Sequence, residues 1–130
     1  ELGGKVYYIP NRRKGLLDHM KALRRILLEH REYRSIYFNI LSASEVFTVL
    51  SAVGVKDVKK IVHSHNNSVK TIERHKLLRP LLTKLSDVKL ACSNEAAEFM
   101  FGSKSLRRNE VKIIFNAIDV GKYQYDKEGS

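Results

Sequence analysis

The chain has 130 residues, 43% of them hydrophobic, which suits one domain around one core and leaves no apolar run of the ~18 residues a membrane-spanning helix needs. Lys and Arg number 24 against 14 Asp and Glu, and the resulting net charge of +10 favours an anionic partner, whether nucleic acid, a membrane surface or a phosphorylated small molecule, over a basic one. The single Cys92 excludes an internal disulfide and fits a reducing cytoplasm.

Gly3-Gly4 marks a turn, and the chain runs through it into an expected strand at residues 5–9 (KVYYI) rather than into a signal peptide. Pro10 closes that run, and residues 11–15 (NRRKG) form a basic loop. Leu16, Met20, Leu23 and Leu27 recur at helical spacing, which predicts a helix over 16–32 with Lys21, Arg24 and Arg25 opposite the apolar stripe. That basic amphipathic face fits either packing on a sheet or lying on anionic lipid. Residues 35–40 (SIYFNI) read as the second strand. Ser42 and Glu45 stand at capping-box spacing before a short apolar helix at 46–53, which Gly54 ends.

The third expected strand is the one around which the chain is organised. In residues 59–68 (KKIVHSHNNS), a β-branched run breaks abruptly into imidazoles and small polar side chains. Leucines at 77, 78, 81, 82 and 85 then predict a helix that Pro80 kinks or starts. Residues 87–91 (DVKLA) are a strand, Ser93 caps a helix over 94–101, and Gly102 stops it. Residues 103–110 read as a basic loop, 111–115 (VKIIF) as the last strand, and 123–130 as a loosely held tail.

Strand and helix alternate throughout, so the expected fold class is α/β: a three-layer, Rossmann-like parallel sheet with helices on both faces. In such a sheet all strand C-termini share one rim, where ligands bind. Asn11, Asn39, residues 63–67, Ser93 and Asn116 are expected to gather there. The helix starting at Ser93 aims free N–H groups at the same rim, which suits a phosphate or sugar hydroxyls, although Ser93 also serves simply as a cap.

Other chemistries find little support. His63 and His65 are read as pointing to opposite faces of an extended chain, and no Cys/His spacing fits zinc, so no metal is expected. Cys92 is read as a core residue rather than a nucleophile. Neither a dinucleotide-binding nor a P-loop glycine pattern occurs. The basic residues are scattered and not interleaved with aromatics, so nucleic acid is not an expected partner.

The phrases GGKVYYIP, GVKDVKKIVHSHNN, DVKLACSNEAAEFMFG and VKIIFNAID, in this order, resemble the N-terminal domain of bacterial family 4 glycosyltransferases of the capsular or exopolysaccharide type. The resemblance implies the GT-B architecture, two Rossmann-like domains across a cleft, and metal-free, cofactor-free transfer with retention from a nucleotide-diphosphate sugar to a glycan or lipid-linked acceptor. It implies a catalytic role for His65 in facing the transferred sugar, with His63 behind it as a core residue. Asn66, Asn67, Ser93, Glu95 and Asn116 match substrate-cleft positions. It further implies that the family's opening strands, glycine-rich loop, paired-glutamate motif and C-terminal domain fall outside this chain. Residues 1–119 would then be a partial acceptor-side domain and 120–130 the start of an interdomain segment, inactive alone and open to self-association through exposed sheet edges. The setting it implies is the cytoplasm, peripheral to the inner face of the membrane. A non-catalytic nucleotide- or sugar-binding module and a basic membrane- or nucleic-acid-surface protein are the alternatives.

Overall fold

A computed structural model describes residues 3–117. Its elements in chain order are α1 (Leu16–Glu29), β1 (Ser35–Ile40), a single 3-10 turn (Ala43–Glu45) running into α2 (Val46–Leu50), β2 (Lys59–Ser64), α3 (Ile72–Leu85), β3 (Val88–Ala91), α4 (Asn94–Phe101), α5 (Ser103–Arg107) and β4 (Val111–Ile113). The four strands form one parallel sheet in the order β1-β2-β3-β4. The expected α/β sheet with flanking helices is therefore present.

Sequential order has a consequence for the layers. Right-handed crossovers between neighbouring parallel strands all travel the same way, so the connecting helices fall on one face of the sheet. The burial alternation agrees. Phe38, Ile40, Val62, Ala91 and Val111 join Val46, Val49, Leu82, Ala97 and Met100 in the core, with Ile36 and Ile113 packed against it. The opposite face carries Tyr37, 49% exposed, together with Asn39, His63 and Leu90. Of the expected three layers, the described residues supply the sheet and one helical layer.

Residues 5–9 correct the sequence reading. They form no strand, and among the described residues the sheet has four strands where five were expected. β-propensity alone does not make a strand; a ladder partner does. Here the segment runs beside α1 instead. The Tyr7 hydroxyl bonds His30 Nε2 at 3.0 Å and Tyr33 Oη at 3.1 Å. The Tyr33 bond is the main cause that pushes the Tyr7 phenol up to about 12. Val6 and Tyr8 stay exposed.

Helix ends follow local chemistry. Ser93 Oγ accepts from Ala96 N at 3.1 Å and starts α4 as expected. Gly102 ends it at φ +87°, a conformation an L side chain resists. Ser42 Oγ accepts from Ser44 N at 3.2 Å, while Glu45 Oε1 accepts from Leu41 N at 2.9 Å, a reciprocal cap displaced by one residue from the expected box. α1 stops at Glu29, three residues early, because His30 closes a turn to Tyr33 and its Nδ1 engages Glu32 at 2.9 Å. Pro80 lies inside α3, where Leu78, Leu82 and Leu85 face the core and Leu77 and Leu81 face out. Part of the expected basic loop at 103–110 is the helix α5. The tail expected at 123–130 and the interdomain segment expected at 120–130 lie outside the described residues.

Candidate functional site at the strand C-termini

Parallel pairing sets the ends of all four strands side by side. Beyond the last pairs, Cys92 N donates to Ser64 O at 3.1 Å and Ile114 N to Ala91 O at 2.8 Å. The segments that begin at His65, Ser93 and Ile114 therefore leave the sheet from one rim, with Asn39 on the adjoining strand.

The two histidines of β2 and its exit correct a second reading. Side chains two apart on a strand share a face. His63 and His65 accordingly lie together, ring centroids 3.9 Å apart at 40°, not on opposite faces. His63 is 6% exposed; its Nδ1 bonds the Tyr37 hydroxyl, and its Nε2 is buried with no hydrogen-bond partner among the described residues. Burial, then the neighbouring His65, holds the His63 imidazole below its ordinary value, so it stands neutral. His65 is exposed, and its Nε2–H donates to Asn39 Oδ1 at 3.1 Å. That bond fixes the ring plane and leaves Nδ1 as a possible acceptor. Among the described residues no three His, Cys, Asp or Glu side chains assemble as a metal site.

The other expected site residues divide. Asn66 is a stitch rather than a free ligand group: Nδ2 donates to Leu41 O at 3.2 Å and to Ser68 O, and Oδ1 accepts from Asn67 N at 3.0 Å and Ser68 N at 3.4 Å. It thereby ties the loop after β1 to the loop after β2. Asn67 and Asn116 are exposed at the rim, and Asn11 follows a segment outside the sheet. Ser93 is engaged as the cap of α4. The Glu95 carboxylate sits below its ordinary range, held by its own backbone N–H and then by the Ser93 hydroxyl. Ser93, Glu95 and Asn116 share the rim with His65 without sharing a cleft with it.

A cleft of about 1020 Å³ opens beside this rim. Of the expected site residues only Asn66 lines it; the rest of its wall comes from Arg12, Arg13, Ser42, Ser44, Glu45, Phe47, Lys70, Thr71, Arg74 and His75, among others. The basic loop at 11–15 was the one sequence signal for it. His75, on α3, gave none. It is 2% exposed, its Nδ1 accepts from Ala43 N at 3.1 Å, its Nε2–H donates to Phe99 O at 2.9 Å, and its ring stacks on Phe99 at 4.0 Å. Burial keeps this imidazole below its ordinary value, and Arg79 adds to the effect against the opposing pull of the Phe99 carbonyl.

The chain is 27% identical over 126 residues to a Bacillus subtilis (strain 168) protein named "Putative glycosyltransferase EpsF", a match that takes in 92% of this chain. The chain spans about a third of that relative's length, 33%. No family model and no solved structure matches. The match supports a glycosyltransferase relationship, and the four-stranded parallel sheet fits part of a Rossmann-like domain. No described helix is long and apolar enough to cross a membrane.

Proposed function

We propose that this chain is the acceptor-side part of a retaining family 4 glycosyltransferase of GT-B architecture. Residues 1–119 form that part, and 120–130 begin the passage to a donor-binding domain. The whole enzyme moves a hexose from a nucleotide-diphosphate sugar to a glycan or lipid-linked acceptor in capsule or exopolysaccharide synthesis. It works in the cytoplasm against the inner membrane face, where the +10 charge favours anionic lipid.

One observation carries the reading: an exposed imidazole, His65, stands at the C-terminal mouth of a parallel sheet with its plane set by Asn39. In open α/β sheets this mouth is where ligands are held. With Nε2 engaged, Nδ1 of His65 can take the proton side of a sugar hydroxyl and so orient the transferred ring. Neutral His63 packs behind it and spares it a second positive charge. Asn66 holds the two flanking loops in register, while Asn67, Ser93, Glu95 and Asn116 supply polar contacts along the rim.

The test is sugar transfer by the full-length polypeptide that carries this chain, offered a panel of uridine and guanosine diphosphate sugars with membrane extract as acceptor. Labelled sugar entering a glycan or lipid fraction supports the proposal. Saturable binding of a nucleotide sugar with no transfer to any acceptor marks a non-catalytic binding module instead.

A further inference from the structure

The cleft beside the rim has a charge pattern that the sugar site does not explain. Arg12, Arg13, Lys70 and Arg74 line it, against one carboxylate, Glu45, which is already engaged by Leu41 N at 2.9 Å. None of the four cations forms an ion pair among the described residues. Like charges gathered around one concavity raise its potential and concentrate anions there.

The cleft is also built to hold a shape. Asn11 Oδ1 accepts from Arg13 N at 2.9 Å, and Lys14 N and Gly15 N close the same turn onto Asn11 O, so the two arginines leave a defined loop. His19 clamps that loop to α2: its Nδ1–H donates to Pro10 O at 2.8 Å, and its Nε2 accepts from Thr48 Oγ1 at 3.1 Å. On the far wall α3 begins after Thr71, which gives it no side-chain cap. The first-turn N–H groups of that 14-residue helix add donors to Arg74 and Lys70.

We propose that this cleft binds the phosphate or diphosphate group of a ligand. The guanidinium forks of Arg12, Arg13 and Arg74 match the paired oxygens of a phosphate, and Lys70 adds a point charge. About 1020 Å³ exceeds what a diphosphate fills, so the body of the ligand extends along Ser42, Ser44 and Phe47. The assignment rests on the cleft alone and stands whether or not His65 serves sugar transfer.

The experiment titrates the full chain with pyrophosphate by calorimetry at fixed ionic strength, with chloride as the balancing anion. Saturable binding at one site is expected. Arg12→Gln with Arg74→Gln weakens it by at least about tenfold, while Lys84→Gln with Lys104→Gln, which removes as much charge elsewhere, leaves it unchanged. Arg12→Lys with Arg74→Lys keeps the charge and loses the forks, and falls between the two, which separates lost contacts from lost folding. Phosphatidylcholine vesicles doped with phosphatidic acid locate the source. Vesicle binding that pyrophosphate displaces assigns a lipid headgroup, and pyrophosphate binding without vesicle binding assigns a free phosphorylated ligand. Vesicle binding indifferent to pyrophosphate places the lipid elsewhere and likewise assigns a free phosphorylated ligand to the cleft, whereas no saturable binding or equal losses in both Gln pairs overturns the proposal.

Discussion

Removal of the buried His75 side chain should destabilise this fold strongly. His75 bridges two walls of the molecule, taking a hydrogen bond from Ala43 N and giving one to Phe99 O, and Ala43 is 0% exposed. His75→Ala strands a buried amide and frees a half-buried carbonyl, at ~1–3 kcal/mol for a buried group left unpaired. It also removes a stacked ring pair of about 1 kcal/mol and opens a cavity. The expected loss is ~3–5 kcal/mol, a large share of a domain's ~5–15 kcal/mol. His75→Gln restores one donor and one acceptor and should recover part of it.

The same residue carries a pH signature. Its folded-state pKa lies below the ordinary 6.5, as does that of His63. A group depressed by folding binds its proton more readily in the unfolded chain. Its contribution is therefore complete above the ordinary value and is lost as pH falls below it. Urea denaturation at about pH 7.5 and about pH 5.5 should show the wild type weaker at the lower pH and His75→Gln with a shallower fall, His63 accounting for the remainder. A His75→Ala loss under ~1 kcal/mol, or an unaltered pH response in His75→Gln, would refute the bridging role.

Other perturbations have equally definite outcomes. Gly102→Ala places an L residue at φ +87° and ψ 155° with its Cβ 3.7 Å from the Arg79 guanidinium, so the backbone alone bears ~1–3 kcal/mol, visible as a lower urea midpoint. Tyr37→Phe leaves both nitrogens of buried His63 without a partner among the described residues and should lower stability by ~1–3 kcal/mol; an unchanged midpoint means that the hydroxyl contributes nothing. His19→Ala releases the loop that carries Arg12 and Arg13 from α2, and pyrophosphate affinity should fall although no cleft charge is removed. β1 and β4 end the sheet, and light scattering should show mass rising with concentration if those edges pair between copies.

What the sequence disclosed depended on how local the cause was. β1 matches its predicted bounds because alternation sets one face in the core, Phe38 and Ile40 in, Tyr37 and Asn39 out. The starts and stops at Ser93 and Gly102 were legible because caps are made by neighbours in sequence. Residues 5–9 look like a strand by composition, but the deciding fact, a hydroxyl bonded to His30 and Tyr33, lies more than twenty positions away. The pairing of His63 with His65 is legible in strand periodicity, which sets residues two apart on one face and not on opposite ones. The cleft was not readable, since Arg12, Arg13, Lys70 and Arg74 meet only once α1 and α3 flank the rim. His75 shows no apolar or charge pattern, and only its buried partners reveal its role.

His65 stands at the mouth of the sheet, where the proposed transfer would take place. The most direct measurement is sugar-transfer turnover of the full-length polypeptide with His65→Ala, beside His30→Ala as a histidine control remote from the rim. A loss of turnover of about tenfold or more in His65→Ala, with its melting curve and the control's turnover both unchanged, is the expected result. Turnover equal to wild type in His65→Ala would contradict it.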